Sequence, residues 1–195
     1  LNAKQLRSFT CNSSTRENDK LANEKTRNDI YIILDNVLDT YNIGSIFRLA
    51  DAVAAKKIYL CGGTETPPNH RIKKASINTT EWVEWGWCET AVEAIVKLTS
   101  EVKKMQPHLG GVKPLQMVAI EQSTKSVPYD KFDYTLPICL IVGNETTGVS
   151  KEVLEKVDGI VEIPMFGVNI SLNVMVSLGI VLYEVIKRTQ QNLTN

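Results

Sequence analysis

Short unbroken apolar runs, interspersed with segments of helical period, constrain this chain more than any other feature. "IYIILD" (Ile30–Asp35) precedes "NIGSIFRLADAVA" (Asn42–Ala54), whose Ile43, Ile46, Phe47, Ala50 and Val53 or Ala54 recur on one side. "KIYLCG" (Lys57–Gly62), "QMVAIE" (Gln116–Glu121), "ICLIVG" (Ile138–Gly143) and "GIVEIP" (Gly159–Pro164) are further runs of this type. Strands apolar on both faces belong to a parallel sheet covered on both sides. Alternation with helices then gives an α/β fold, a parallel sheet with helices on both faces. Asn42 is a candidate N-cap for its helix. Thr90 and Glu93 form a capping box for "AVEAIVKLTSEVKKM". "SKEVLEKV" (Ser150–Val157) is a short helix, and the last helix runs from about Ser171 to Arg188.

The chain has 195 residues, enough to bury a core as one domain. Residues 1–28 are polar, with Lys4, Arg7, Arg16, Lys20, Lys25 and Arg27 against Glu17, Asp19 and Glu24. They read as a basic arm ahead of a domain at 29–190. An ordinary solvated tail has the same composition. Lys+Arg equals Asp+Glu at 22 each, so a nucleic-acid partner would need a local basic patch. The four cysteines are scattered without a CxxC pair, and only two histidines, His70 and His108, are available. That pattern points to a reduced cytoplasmic setting and no metal.

The apolar stretch near the C-terminus does not span a membrane. Its largely apolar run from Val174 to Tyr183 is half the required length and is flanked by Asn173 and Glu184. Val174, Leu178, Val181, Leu182 and Val185 make one stripe, while Val176, Ile180 and Tyr183 fall outside it. A helix apolar nearly all round covers more than one surface: its own core alone, or a core and a second subunit.

Three segments that follow strands combine Gly with Asn, Glu or Ser: "YNIGSIFR", "GNETTG" (Gly143–Gly148) and "MFGVNISLN". Ligands bind beyond the carboxyl ends of strands in open α/β sheets. Gly143, Gly148 and Gly167 are candidates for close backbone approach to a ligand, or simply for turns. No GxGxxG follows the first strand, and there is no phosphate-binding GxxxxGK[ST] loop or GxSxG elbow.

The three segments, Asn42-Ile-Gly44 through Arg48-Leu-Ala50, Ile141-Val-Gly143-Asn-Glu145 through Gly148, and Ile163-Pro-Met165-Phe-Gly167 through Ser171-Leu-Asn173, resemble the ordered motifs of the SpoU/TrmH family. These are RNA 2′-O-ribose methyltransferases of the SPOUT class, and the likeness covers residues 28–188. It implies a C-terminal deep trefoil knot, a homodimer and S-adenosylmethionine as cofactor. It implies that Gly143, Ile163, Met165 and Leu172 contact that cofactor, with Ile120 and Glu121 on the same pocket. Arg48 would be the chief catalytic residue, reaching the nucleotide from the partner subunit. A guanidinium is a poor base, so gripping phosphate and polarising the 2′-hydroxyl suit it better. Asn42 would position Arg48 or the substrate, Glu145 would orient Arg48 or bind the nucleotide, and Ser171 and Asn173 would fix the third loop. Each has a plainer role: Asn42 and Ser171 as N-caps, Glu145 as a turn residue. Leu49 departs from the threonine often found there.

An RNA partner, tRNA or rRNA, needs positive charge. Arg71, Lys73 and Lys74 of "HRIKK" and the arm's cations are the candidates, with Trp82, Trp85 or Trp87 to stack on bases. Two readings compete with the methyltransferase: a catalytically silent RNA-binding module of the same fold, and a flavodoxin-like nucleotide-binding domain. The intact motif residues argue against the first, and the motif order against the second.

Overall fold

A computed structural model describes residues 27–105 and 114–191. Seven parallel strands form one sheet: β1 (Asn28–Asp35), β2 (Ala55–Cys61), β3 (Glu84–Cys88), β4 (Gln116–Ile120), β5 (Val127–Pro128), β6 (Ile138–Gly143) and β7 (Gly159–Glu162). Their order is β3-β2-β1-β6-β4-β7-β5. The central strands β1 and β6 are paired from Ile30↔Ile138 to Asp35↔Gly143, so both end at one level. That level carries the site described below.

Alternation along β1 explains the two layers. Ile30, Ile32 and Leu34 face a cluster built with α1 (Thr40–Ala52) and α5 (Val174–Gln191). Tyr31 and Ile33 face the opposite cluster, built with α3 (Ala91–Met105) and α4 (Lys151–Leu154). Each fully buried aliphatic chain contributes about 1.5–3 kcal/mol, so both covers are held mainly by apolar burial. The helix α2 (His70–Ser76) lies against α1 at Gly44, where an added Cβ would come within 2.6 Å of the Ala75 Cβ. A 3-10 turn, Thr79–Glu81, follows α2.

Several local expectations shift. The N-cap of α1 is Asp39, whose carboxylate accepts from the Tyr41 N–H at 2.8 Å, and Asn42 is buried inside the helix. The last helix starts at Val174, not Ser171. Its cap is Asn173, which accepts from the Met175 and Val176 N–H groups at 3.0 and 3.4 Å. Asn is as good a cap as Ser, and only the chain path decides between them. The "HRIKK" segment is helical, because the Asn69 side chain accepts from the Arg71 and Ile72 N–H groups. Half of the capping box at Thr90 forms: Thr90 Oγ1 accepts from the Glu93 N–H, while the Glu93 carboxylate reaches one residue further back and accepts from the Glu89 N–H.

Arg27 belongs to the fold rather than to a free arm. Its guanidinium donates to the carbonyls of Ala55 and Trp82 at 2.9 Å and pairs with Asp51 at 3.4 Å, with the side chain 5% exposed. It is therefore withdrawn as an RNA contact, and β1 begins at Asn28. Lys4, Arg7, Arg16, Lys20, Lys25 and His108 lie outside the described residues. Among the described residues no helix is long and apolar enough to cross a membrane.

Candidate active site

At the carboxyl ends of β4, β6 and β7 lies a cavity of about 610 Å³. That is within the range of small-molecule sites, roughly 300–1,000 Å³. All six residues expected at a cofactor line it: Ile120, Glu121, Gly143, Ile163, Met165 and Leu172. Glu145, Ser171 and Asn173 line it too. Two of the three motif segments, with the end of β4, therefore meet at this cavity, and the first motif joins them through Asn42.

A chain of hydrogen bonds ties them. The Asn173 Nδ2 donates to Asn42 Oδ1 at 3.0 Å, and the Asn42 Nδ2 donates to Glu145 Oε1 at 3.0 Å. The Glu145 carboxylate also accepts from the Leu38 and Asp39 N–H groups, both at 3.1 Å. Burial pushes this carboxyl up, but the bonds from Asn42 and these backbone donors outweigh it. Its pKa lies below the usual carboxylate value. Glu145 is thus a turn residue whose side chain is also an oriented anion. Asn42 uses its amide twice, as donor and acceptor, which no N-cap role requires.

The loop after β6 is braced on every side. Asn144 and Gly148 exchange backbone hydrogen bonds at 3.1 and 2.9 Å, and Asn144 Oδ1 accepts from the Thr146 and Thr147 N–H groups. The Asn144 amide donates to the Asn36 carbonyl. Glu121 Oε2 accepts from the Val149 N–H at 2.8 Å, and buried Asp35 accepts from the Ser150 N–H at 2.9 Å. A Cβ on Gly143 would lie 2.1 Å from the Gly148 carbonyl carbon. One on Gly148, at φ +71°, would lie 2.1 Å from Glu121 Oε2. Both positions require glycine. Gly167 does not: nothing lies within 4 Å of an added Cβ there.

The loop after β7 is held more sparingly. The Gln122 Nε2 donates to the Ile170 carbonyl at 2.6 Å, and Asn173 anchors its end. Both ties lie near the loop's C-terminal end, and Phe166, Val168 and Ile170 are 96%, 99% and 81% exposed.

Arg48 is exposed on α1 and does not line the cavity of its own chain. Arg71, Lys73 and Lys74 are exposed on α2, away from it. The sequence reading missed Asp35, Asn144 and Gln122 as site supports. Asn144 stood inside a quoted motif, and Asp35 ends an apolar strand with a charge. Nothing in the sequence marks Gln122.

The model of the SpoU rRNA Methylase family matches residues 29–183. This chain belongs to that family. It is 35% identical over 170 residues to tRNA (guanosine(18)-2′-O)-methyltransferase of Aquifex aeolicus, covering 86% of this chain and 74% of that enzyme. It is 30% identical over 167 residues to the enzyme of the same name from Escherichia coli, covering 84% of this chain and 65% of that one. The crystal structure of the A. aeolicus TrmH/SpoU tRNA modifying enzyme superposes with a TM-score of 0.74 at 30% identity, over 92% of this chain and 85% of that one. An AdoMet-bound rRNA methyltransferase from Sinorhizobium meliloti superposes with a TM-score of 0.67 at 28% identity, over 85% of this chain and 60% of that one. SpoU methyltransferases use S-adenosylmethionine. The cavity fits such a ligand: apolar Ile163, Met165 and Leu172 oppose loops whose glycines bring backbone close.

Proposed function

We propose that this chain is an S-adenosylmethionine-dependent RNA 2′-O-ribose methyltransferase, acting on tRNA or rRNA as a homodimer. The observation that carries this is the convergence of Asn42, Glu145 and Asn173 into one hydrogen-bonded chain beside the cavity. Relatives that are named for a tRNA guanosine favour tRNA as the substrate class.

When bound, S-adenosylmethionine supplies a methyl group already activated on a sulfonium. The protein's work is then to hold the ribose 2′-oxygen in line and to ease loss of its proton. Leu172, Met165 and Ile163 would clasp the cofactor's apolar surface, and Gly143 would let main chain approach it. Glu145, held as an anion, would orient a cation or a nucleotide hydroxyl. Arg48 would grip the phosphate next to the reacting ribose and polarise its 2′-hydroxyl, supplied to this cavity by the partner subunit.

Two features support the shared site. Arg48 is exposed and absent from its own cavity. The outer face of α5 leaves Val176 and Tyr183 exposed, as the loop after β7 leaves Phe166, Val168 and Ile170. The trefoil knot belongs to the same proposal. β4 lies between β6 and β7, and residues 163–173 carry the chain from β7 back to α5, which packs on β6, β4 and α1.

The test is incubation of the protein with radiolabelled S-adenosylmethionine and unmodified tRNA or rRNA, followed by nucleoside analysis. Label should appear in 2′-O-methylnucleosides, and Arg48→Ala should lower transfer by about 100-fold or more while cofactor binding persists. Tight cofactor binding without transfer to any RNA would establish the silent RNA-binding module instead. A stable monomer with full activity would refute the shared site.

A further inference from the structure

A second cavity, about 420 Å³, opens at the outer edge of the sheet between α2, the 3-10 turn and edge strand β3. It shares no residue with the main cavity. Three strand spacings, about 15 Å, separate β3 from β6. Trp85 supplies an aromatic wall, His70 and Lys73 supply donors from α2, and Glu81 supplies a carboxylate. Trp85 is partly buried against the core, which fixes its ring plane. Trp87, two residues on and therefore on the same face of β3, is 51% exposed. Its indole N–H donates to the Gly62 carbonyl at 3.4 Å. Among the described residues neither Lys73 nor Glu81 is in an ion pair, although both face this cavity. Asn69 is already committed, capping α2 and bonded to Glu65.

We propose that this cavity holds an unpaired guanine of the RNA substrate, a nucleotide distinct from the one that is methylated. The proposal rests on the RNA methyltransferase reading. Unpaired bases are recognised by stacking on aromatic side chains and by hydrogen bonds along their Watson–Crick edges. A carboxylate is acceptor-only. It is therefore matched by a base with two adjacent donors on that edge. Guanine, with N1–H and N2–H₂, is the RNA base that has them. Adenine and cytosine each pair one amino donor with a ring acceptor, and uracil offers a single N–H between carbonyls. Glu81 thus selects guanine, Trp85 stacks it, and Lys73 with His70 meets its phosphate. Arg71 and Lys74, exposed on the same helix, extend the basic surface along the backbone.

The test uses the full chain, with GMP, AMP, CMP and UMP as probes. Indole N–H resonances are followed by NMR, with Trp85 assigned through Trp85→Phe. GMP should shift the Trp85 signal and bind about tenfold more tightly than the other three, as one bidentate contact allows. Glu81 is exposed, so Glu81→Gln should keep the fold and S-adenosylmethionine affinity while erasing the preference for GMP. Equal binding of all four nucleotides, or a preference that survives Glu81→Gln, would overturn the proposal. So would GMP shifts confined to residues of the main cavity. If GMP shifts Trp85 but wild-type protein methylates no RNA, the guanine site stands and the methyltransferase reading falls.

Discussion

The two loops that wall the main cavity are built in opposite ways. The loop after β6 is closed by its own bridge and by Glu121, Asp35 and Asn36 behind it. Its two glycines have no room for a Cβ. The loop after β7 is tied only near one end, by Gln122 and Asn173, and turns apolar side chains outward at its tip. One half of the site is therefore complete within a single chain. The other half has surface left to bury, and a second copy of the chain is the proposed cover.

The sharpest way to break this contrast is Gly143→Ala. A Cβ at 2.1 Å from the Gly148 carbonyl carbon meets backbone that has no rotamer to escape to, so it should unseat the loop and cost about 2–4 kcal/mol of stability. S-adenosylmethionine binding by calorimetry should fall below detection. Retained affinity would show that the loop is not preformed.

Val168→Asp probes the other loop. Val168 is 99% exposed, so the fold itself should lose under about 0.5 kcal/mol. Sedimentation should nonetheless show the proposed homodimer weakened about tenfold or more, because an uncompensated charge would enter an apolar contact. An unchanged dimer would remove this loop from the interface.

Glu145→Gln should have an intermediate effect, about 1 kcal/mol or slightly more, since a charged acceptor of three hydrogen bonds becomes neutral on an exposed loop. The pH dependence follows from the lowered pKa of Glu145. Below its folded pKa the unfolded and folded states are both protonated and the contribution is gone. It is complete above the ordinary carboxylate value, about 4.3. Wild-type stability should therefore fall on acidification through that range, and the Glu145→Gln curve should be flatter there. Parallel curves in thermal melts would contradict this. The smallest effect is expected from Gly167→Ala, within about 0.5 kcal/mol, because its Cβ meets nothing within 4 Å. A large loss of cofactor affinity would mean that this loop closes tightly on its ligand.

Much of this was legible before any coordinates. Apolar runs such as Ile30–Asp35 and Ile138–Gly143 read as buried strands and are, and the six residues expected at the cofactor all line one cavity. Boundaries and caps were less legible. Asp39 and Asn42, like Ser171 and Asn173, are all chemically fit to cap, and their sequence context does not rank them. Gly143 and Gly167 look alike in a motif, yet only the first faces backbone at 2.1 Å.

The sequence by itself determined a parallel sheet covered on both faces, because period and apolarity are local properties of the chain. It also determined which three segments belong together, through their motif pattern. Only the tertiary structure decided what those segments do to one another: that Asn42 bridges Asn173 and Glu145, that Gln122 ties down Ile170, and that Arg27 is locked while Arg48 is free of its own cavity. These are contacts between residues up to 131 positions apart. They exist only once β1 and β6 lie side by side and end at the same level, a register that no local pattern encodes.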